Sequence, residues 1–250
     1  MSLSLHFVSQ EPKLKRLQLP TRYYHFDETV NYVKLLSIGE GIFPKDKINL
    51  KMNLDDSDCV VTTESATKVY PCEGDYGINR FDFTLESNSN LECINDELIL
   101  FNKAKYLQLF TLKSDSSSNF FYIDIMSSGR SFEHFDFTQM RCRNRFIIDN
   151  HLEYFENFSV TGSFLKEYFK RHQSSQYIYA KVYIKCQDNT KLEHTLRTLG
   201  FHSFTFTRNK KMLIGVLNET NISNIKKSVS QIWDTYRLHQ NTPSFNLGKQ

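Results

Sequence analysis

The stretch INLKMNL, at positions 48–54, places an apolar residue at every second position. In an extended strand successive side chains point to opposite faces, so these apolar residues share one face and the polar residues share the other. The apolar face carries Ile48, Leu50, Met52 and Leu54. The stretch RFDFTLE, at positions 80–86, repeats the alternation with Phe81, Phe83 and Leu85. Both stretches predict strands that bury one face.

Short polar segments separate these alternating stretches. The segments DDSD (55–58), SNSN (87–90), SDSSSN (114–119) and IDNH (148–151) are rich in Asp, Asn and Ser, which close turns by bonding their own backbone. Between residues 30 and 160 this alternation of strand and turn continues without a linker. The sequence therefore predicts a mainly β fold, in which a single domain (1–250) has a large antiparallel β-layered body, β-helix-like or sandwich-like, at about 30–160.

The pattern changes in the C-terminal α+β portion, from about 161 to 240. There YIYAKVYIKC (177–186) predicts a strand, DNTKLEHTLRTLG (188–200) a helix that ends at Gly200, and FHSFTFTRNKKMLIGVL (201–217) a hairpin. A second helix is predicted from Asn221 to about His239, with Trp233 and Tyr236 on its apolar stripe and therefore in the core. The segment NTPSFNLGKQ (241–250) has turn chemistry, and we expect it to be free or ordered by a partner.

Composition narrows the class of protein. The chain has 250 residues, of which 40% are hydrophobic, and its net charge is only +3, too weak to indicate a dedicated nucleic-acid binder. No apolar run approaches the ~18 residues that span a bilayer, and the first residues lack the order of a signal peptide, so we expect a cytoplasmic protein with no membrane partner. The five cysteines are widely spaced, which predicts reduced thiols, with Cys59 and Cys93 as small buried hydrophobic residues.

The sequence carries no complete catalytic or nucleotide-binding motif. The segment GEGIFPKDK (39–47) lacks the third glycine of a dinucleotide fingerprint, and TGS (161–163) lies outside the strand-turn-helix context that activates a serine. The segment RCRNRF (141–146) places Arg141, Arg143 and Arg145 on one strand face, where they could meet phosphates. A solvated or acid-paired face is the commoner arrangement for such arginines.

The stretch VVTTESATKVY (60–70) is unusual, because it crowds hydroxyl side chains into a strand-like run. As one strand it would place Thr63 and Ser65 on one face and Thr62 and Lys68 on the other. Neither face resembles an ordinary apolar core. The residues alone leave two interpretations open: a half-exposed strand, or a polar surface or passage inside a larger assembly.

Four segments, in order and at nearly constant spacing, carry a resemblance to a known family. They are VNYVKLLSIGEGIFPKDKINL (30–50), CVVTTESATKVY (59–70), NLECINDELILFNKAKY (90–106) and SSGRSFEHFDFTQMRCRNRFII (127–148), and SQIWDTYR (230–237) follows in the closing helix. From about Asn31 to Arg237 the chain resembles the UreD/UreH family of urease accessory proteins. It departs from the family pattern at Glu40, Pro44, Lys45, Pro71, Cys93, His134 and Phe135.

The resemblance implies a non-enzymatic chaperone that helps to deliver nickel to urease. Members of this family are β-rich with two helices, bind a UreF-like helical accessory protein and act with a UreG-like GTPase on apo-urease. No tightly bound cofactor is expected, although nickel could be held transiently. A run of hydroxyls with acids nearby suits such a role, because oxygen ligands bind a divalent ion weakly enough to pass it on, whereas thiolates and imidazoles hold it.

The resemblance also suggests candidate residues for a nickel route. Asp46 keeps the acidic place of the family's glycine-rich turn, Glu92 lies in the LEC segment, and Glu156 lies in YFENF. Thr62, Thr63, Ser65 and Lys68 are the candidate lining residues. Two other classes of function stay open: a single-stranded nucleic-acid binder that stacks bases on its aromatic residues, and an uncharacterised hydrolase.

Overall fold

A computed structural model describes residues 1–36, 41–71, 74–130, 132–175 and 177–249. The departure at Glu40 and the thiol of Cys72 lie outside these ranges. The described strands of the β body are β1 (Ser2–Val8), β2 (Glu11–Gln18), β3 (Arg22–Asp27), β4 (Asn31–Leu36), β5 (Lys47–Asp55), β6 (Asp58–Thr63), β7 (Thr67–Val69), β8 (Gly77–Glu86), β9 (Asn90–Ile94), β10 (Leu98–Leu100), β11 (Lys105–Ser114), β12 (Asn119–Met126), β13 (Gln139–Ile148) and β14 (His151–Val160). The predicted mainly β class is confirmed, and three strands precede residue 30.

The C-terminal portion adds three helices and three strands within the described ranges. They are α1 (Gly162–Arg171), β15 (Ile178–Lys185), α2 (Asn189–Thr198), β16 (Phe204–Phe206), β17 (Leu213–Glu219) and α3 (Ile222–His239). The predicted strand, helix, hairpin and closing helix are all present. The predicted number of two helices is wrong, because α1 follows β14 directly, with Thr161 accepting a hydrogen bond from the backbone N–H of Phe164 as its N-cap.

The strands form two sheets. Among the described residues, sheet A has seven strands in the order β14-β13-β11-β8-β5-β1-β2. Sheet B has ten, with the order β16-β17-β15-β12-β9-β6-β4-β3 along its main path and β7 and β10 beside it. The chain alternates between the sheets, since β5, β8 and β11 of sheet A lead into β6, β9 and β12 of sheet B. This path combines a sandwich with the coiling of a β-helix.

The prediction of an antiparallel body is wrong for its central strands. In sheet A the pairings β5·β8, β8·β11 and β11·β13 are parallel, and in sheet B so are β4·β6, β6·β9 and β9·β12. Alternation of apolar and polar residues shows that one face of a strand is buried. It does not show whether the strand pairs in parallel or antiparallel with its neighbours. The polar segments DDSD, SNSN and SDSSSN carry the chain across to the other sheet instead of closing hairpins within one sheet.

Those crossing turns stack on one another, which explains their serines. The hydroxyl of Ser89 accepts a hydrogen bond from the backbone N–H of Ser57, and the hydroxyl of Ser118 accepts one from the N–H of Ser89, both at 3.2 Å. All three serines are buried. Each serine therefore satisfies backbone groups that the stacking of coils removes from water.

Apolar side chains fill the space between the two sheets. Sheet A contributes residues such as Leu50, Met52 and Phe83, as the alternating pattern predicts. Sheet B contributes Cys59 and Cys93, which are buried and free. The prediction that these two cysteines are small buried hydrophobic residues is confirmed, and in Cys93 the chain has a thiol where the family pattern has tryptophan.

Helices α2 and α3 cover the outer face of sheet B. Their buried side chains include Leu192, Ile225 and Trp233, and Tyr236 is fully buried among them. The prediction that Trp233 and Tyr236 belong to the core is confirmed. The described helices include none that is both long and apolar enough to cross a bilayer.

Helix α1 packs at one end of the sandwich. Phe135 stacks on Phe169 of α1 with a 5.3 Å centroid separation, and it is buried at a positive φ of 55°. A Cβ atom at Gly162 would lie 2.0 Å from the carbonyl oxygen of Phe135, so only glycine allows this approach. The departure from the family pattern at Phe135 thus helps to hold α1 in place.

Residues 241–249 are held by contacts with the rest of the chain. The hydroxyl of Tyr32 donates to the carbonyl of Leu247 at 2.7 Å, and Nε of Arg237 donates to the carbonyl of Pro243 at 2.7 Å. Lys249 forms an ion pair with Asp96 at 2.7 Å. The expectation of a tail that is free or ordered by a partner is therefore wrong, because a few apolar residues and single hydrogen bonds suffice to dock it on α3 and sheet B.

Candidate functional site

The stretch 60–70 is two short strands and not one. β6 ends at Thr63 and β7 begins at Thr67, so Glu64 and Ser65 lie in the bend between them. Thr62 is fully buried and its hydroxyl donates to the carbonyl of Ile94. These threonines and serines therefore do not share faces as a single strand would require.

The predicted lining residues have separate environments. The hydroxyl of Thr63 accepts a hydrogen bond from the backbone N–H of Asp96 at 2.9 Å. Ser65 borders an open cavity of about 650 Å³ between the 64–66 bend, α3 and the C-terminal residues. Lys68 is exposed. Two of the four side chains thus tie β6 to the end of β9 and to the loop that follows it. The structure does not bring these four side chains together around one passage.

Asp46 lies in the turn before β5. Its Oδ2 accepts a hydrogen bond from the backbone N–H of Phe43 at 2.9 Å, which closes the turn 43–46. The carboxylate is partly exposed. The side chain therefore acts as a turn cap in the way that Asp commonly does.

Glu92 is buried under α3. Its Oε2 accepts from Nη1 of Arg237 at 2.6 Å and from the indole Nε1 of Trp233, and its Oε1 accepts from Nδ2 of Asn90 at 3.0 Å. Burial raises the pKa of Glu92, and the ion pair with Arg237 offsets part of this rise. One carboxylate and one guanidinium, both almost fully buried, neutralise each other and anchor α3 to sheet B.

Glu156 belongs to a third environment, which we name the inter-sheet polar cluster. The cluster lies between the two sheets near their β14 and β15 side and consists of Gln108, Asp124, Asn144, Glu156, Lys181 and Tyr183. Glu156 forms an ion pair with Lys181 and accepts hydrogen bonds from Tyr183 at 2.8 Å and from Asn144 at 3.1 Å.

Asp124 is the second carboxylate of this cluster. It accepts hydrogen bonds from Nε2 of Gln108 at 2.9 Å and from the hydroxyl of Tyr122. Burial raises the pKa of Asp124, while the hydrogen bonds from Tyr122 and Gln108 oppose that rise. The cluster holds two carboxylates and a single ammonium group, from Lys181, so its acids outnumber its bases.

The cluster adjoins a small cavity and reaches solvent. The cavity of about 30 Å³ is lined by Gln108, Asp124, Cys142 and Lys181 among others, and it has room for one water molecule. The side chains of Lys181 and Glu156 keep 20% and 14% of their surface exposed. Burial raises the pKa of the Cys142 thiol, so this sulfur stays protonated near neutral pH and is a weak ligand.

The three carboxylates predicted from the sequence therefore do not meet. Asp46 precedes β5 in sheet A, Glu92 lies on β9 in sheet B, and Glu156 lies on β14 at the edge of sheet A, each with its own partners. Glu156 has a second carboxylate, Asp124, beside it, because the side-chain amide of Asn144 donates to both. Sequence reasoning missed Gln108, Asp124 and Asn144, although a signal existed: each is a polar residue among the otherwise apolar inward positions of its strand.

Comparison with known proteins identifies the family. The model of a family described as UreD urease accessory protein matches residues 15–245, most of the chain. The chain belongs to the UreD urease accessory protein family. The resemblance seen in the sequence is thereby confirmed.

Two UreD relatives show how far the likeness extends. The urease accessory protein UreD of Aliarcobacter butzleri (strain RM4018) is 50% identical over 250 residues, which cover 100% of both chains. The urease accessory protein UreD of Staphylococcus aureus (strain bovine RF122 / ET3-1) is 26% identical over 202 residues, which cover 77% of this chain and 71% of that protein.

The possible metal ligands in this UreD family member are oxygen atoms that lie at separate places. Across the ranges that the structure describes, no three His, Cys, Asp or Glu side chains are grouped so that they could hold a metal ion. The inter-sheet polar cluster instead combines carboxylate, amide and phenol oxygens. Such groups bind hard divalent ions individually and weakly.

Proposed function

We propose that this UreD family member is a non-enzymatic, cytoplasmic chaperone of nickel insertion. In this proposal it binds apo-urease together with a UreF-like helical protein and a UreG-like GTPase, and nickel is a cargo that it passes on. Membership of the urease accessory protein family supports the part of the proposal that assigns the chain a role in urease maturation. The nickel step itself is supported by the chemistry of one site.

The inter-sheet polar cluster is the observation that carries the proposal. Burying polar groups between two apolar sheets costs free energy, and an apolar core would serve stability equally well. Here the cluster also contains one more carboxylate than ammonium groups: Asp124, which lines the small cavity, and Glu156, whose side chain keeps 14% of its surface exposed. A cation that entered at Glu156 would find oxygen ligands between Glu156 and Asp124. The excess negative charge of the cluster would attract it.

The proposal therefore moves the predicted route from the 60–70 stretch to the space between the sheets. It retains Glu156 and adds Asp124, Asn144 and Gln108. Glu92 is already neutralised by Arg237, and Asp46 closes a turn, so their contacts favour structural roles.

The test uses conservative variants of the two cluster carboxylates. Asp124→Asn, Glu156→Gln and the double variant are each co-expressed with urease, the helical accessory protein and the GTPase. We expect the accessory complex to be recovered in normal amount, while nickel per urease falls by about tenfold or more in the double variant, as for altered surroundings of other metal sites. Nickel content is measured by atomic emission and complex recovery by gel filtration.

Asp46→Asn is the matched control, because it removes one carboxylate outside the cluster. It should leave the nickel content of urease at the wild-type level. Full nickel loading in the Asp124→Asn, Glu156→Gln double variant would refute the route. A wild-type chain that forms no complex with urease or its accessory proteins would refute the proposed function as a whole.

A further inference from the structure

The outer face of sheet A is uncovered in the part of the chain that the structure describes. Helices α2 and α3 pack on the other sheet, and α1 packs at the end of the sandwich. Side chains that point outward from the central strands of sheet A, such as Lys51, Arg80 and Arg143, are exposed. The chain therefore presents an open sheet surface to solvent over four adjacent strands.

The strand register shows how charge is distributed on this face. Four rows cross β13, β11, β8 and β5: Arg141–Leu107–Ile78–Lys47, Arg143–Leu109–Arg80–Asn49, Arg145–Thr111–Asp82–Lys51 and Ile147–Lys113–Thr84–Asn53. These rows contain seven basic residues and one acid, Asp82. The next pair on the same face, Glu86 and Asp55, adds two acids at one end. The face therefore carries seven basic residues against three acids, an excess of four positive charges on a chain whose net charge is +3.

The arginines of β13 are positioned but not neutralised. The guanidinium groups of Arg143 and Arg145 lie 5.7 Å and 5.6 Å from the ring centre of Phe155, which holds both on the face. Among the described residues no acid pairs with Arg141, Arg143 or Arg145, whereas Arg80 pairs with Asp82 at 2.6 Å. A groove of about 180 Å³ runs between Arg80, Arg143 and Arg145.

We infer that the outer face of sheet A is the docking surface for a folded protein partner whose contact surface is acidic and includes an aliphatic patch. Charge complementarity sets the sign of the partner. Leu107, Leu109 and Ile78 are neighbours on β11 and β8 and lie beside Arg141, Arg143 and Arg80. An apolar patch beside arginines is the usual composition of a protein interface.

Other occupants fit this face less well. A second copy of the chain would set arginines against arginines if the two copies shared this face by two-fold symmetry. A single-stranded nucleic acid needs a series of aromatic platforms, and the four rows carry aliphatic side chains, with Phe155 beside them on β14.

The inference rests on the proposed function, because the partner belongs to the assembly that matures urease. The test variant is Arg141→Glu, Arg143→Glu, Arg145→Glu, co-expressed with urease, the helical accessory protein and the GTPase. We expect one of these partners to be lost, with its Kd raised by about 100-fold or more, because three attractive contacts become repulsive. Arg141→Gln, Arg143→Gln, Arg145→Gln should give a smaller loss. Partner binding is measured by gel filtration and by titration at two salt concentrations.

The matched control reverses three exposed lysines that lie outside these rows: Lys191→Glu, Lys210→Glu, Lys227→Glu. It has the same net charge change and should retain every partner. Normal assembly of the arginine variant, or equal loss in the control, would overturn the inference and leave the proposed function intact. If the wild-type chain assembles with none of the partners, both fail. Tighter binding of a fluorescent single-stranded oligonucleotide than of any protein partner would assign the face to nucleic acid.

Discussion

Two groups of polar side chains in this molecule surround buried carboxylates, and they differ in how far they neutralise the negative charge. Under α3, Glu92 meets one guanidinium, one indole and one amide, and the charges balance. Between the sheets, Asp124 and Glu156 share one ammonium group with neutral amides and phenols, and the cluster reaches solvent.

The difference separates an anchor from a site that can accept a cation. The Glu92–Arg237 pair is sealed, so a metal ion would have to displace a guanidinium that is already bound. The inter-sheet polar cluster keeps an uncompensated carboxylate next to a cavity. Burial of a carboxylate is therefore a poor guide to metal chemistry unless the charge of its neighbours is counted as well.

The largest effect should come from breaking the anchor. Arg237→Ala leaves Glu92 buried without its partner and also removes the hydrogen bond to Pro243, so we expect the free energy of unfolding to fall by about 3–5 kcal/mol. Urea denaturation followed by tryptophan fluorescence and circular dichroism measures it. Arg197→Ala, which breaks an exposed pair with Glu193, is the control and should cost less than about 1 kcal/mol. Equal losses in the two variants would contradict the anchor.

A smaller change probes the support behind the same anchor. The hydroxyl of Tyr236 donates to Asn90 at 2.7 Å, and Asn90 in turn donates to Glu92. Tyr236→Phe removes that hydroxyl without leaving a large cavity, and we expect a loss of about 1 kcal/mol. Thermal and urea denaturation measure the loss. An unchanged stability would show that Asn90 orients itself without help from α3.

The equivalent deletion in the inter-sheet polar cluster should cost less than in the anchor. Lys181→Met removes the ion pair of Glu156 but keeps most of the aliphatic stem, and the carboxylate retains Tyr183, Asn144 and access to solvent. We expect a loss of at most about 1 kcal/mol in urea denaturation. A loss as large as that of Arg237→Ala would remove the distinction between the two sites.

The smallest effect is a change of stability with pH. Because the pKa of Asp124 is raised in the folded state, its contribution to stability is complete below the pKa of the unfolded chain. That contribution is lost as pH rises through the folded-state pKa. The free energy of unfolding of the wild type, compared with Asp124→Asn, should therefore decline from about pH 4 towards neutral pH. Urea denaturation of both proteins at several pH values measures it, and parallel curves would show that the pKa of Asp124 is not raised.

The sequence by itself determined several local elements and the family. Alternation at 48–54 and 80–86 identified β5 and β8 with the correct buried face, and helical spacing from Asn221 identified α3. Ordered segments over most of the chain identified the family. These signals depend on residues close together in the sequence or on the order of segments along it. They can therefore be read without knowing which strands pair.

Only the tertiary structure decided strand direction, the crossing path and the composition of the polar cluster. Alternation is identical for parallel and antiparallel strands, so the sequence could not show that β5 pairs with β8 in parallel. Gln108, Asp124, Asn144 and Glu156 come from four different strands of two sheets. They meet because stacked coils bring strands together that are distant in sequence, and the charge around each carboxylate is set by those distant neighbours.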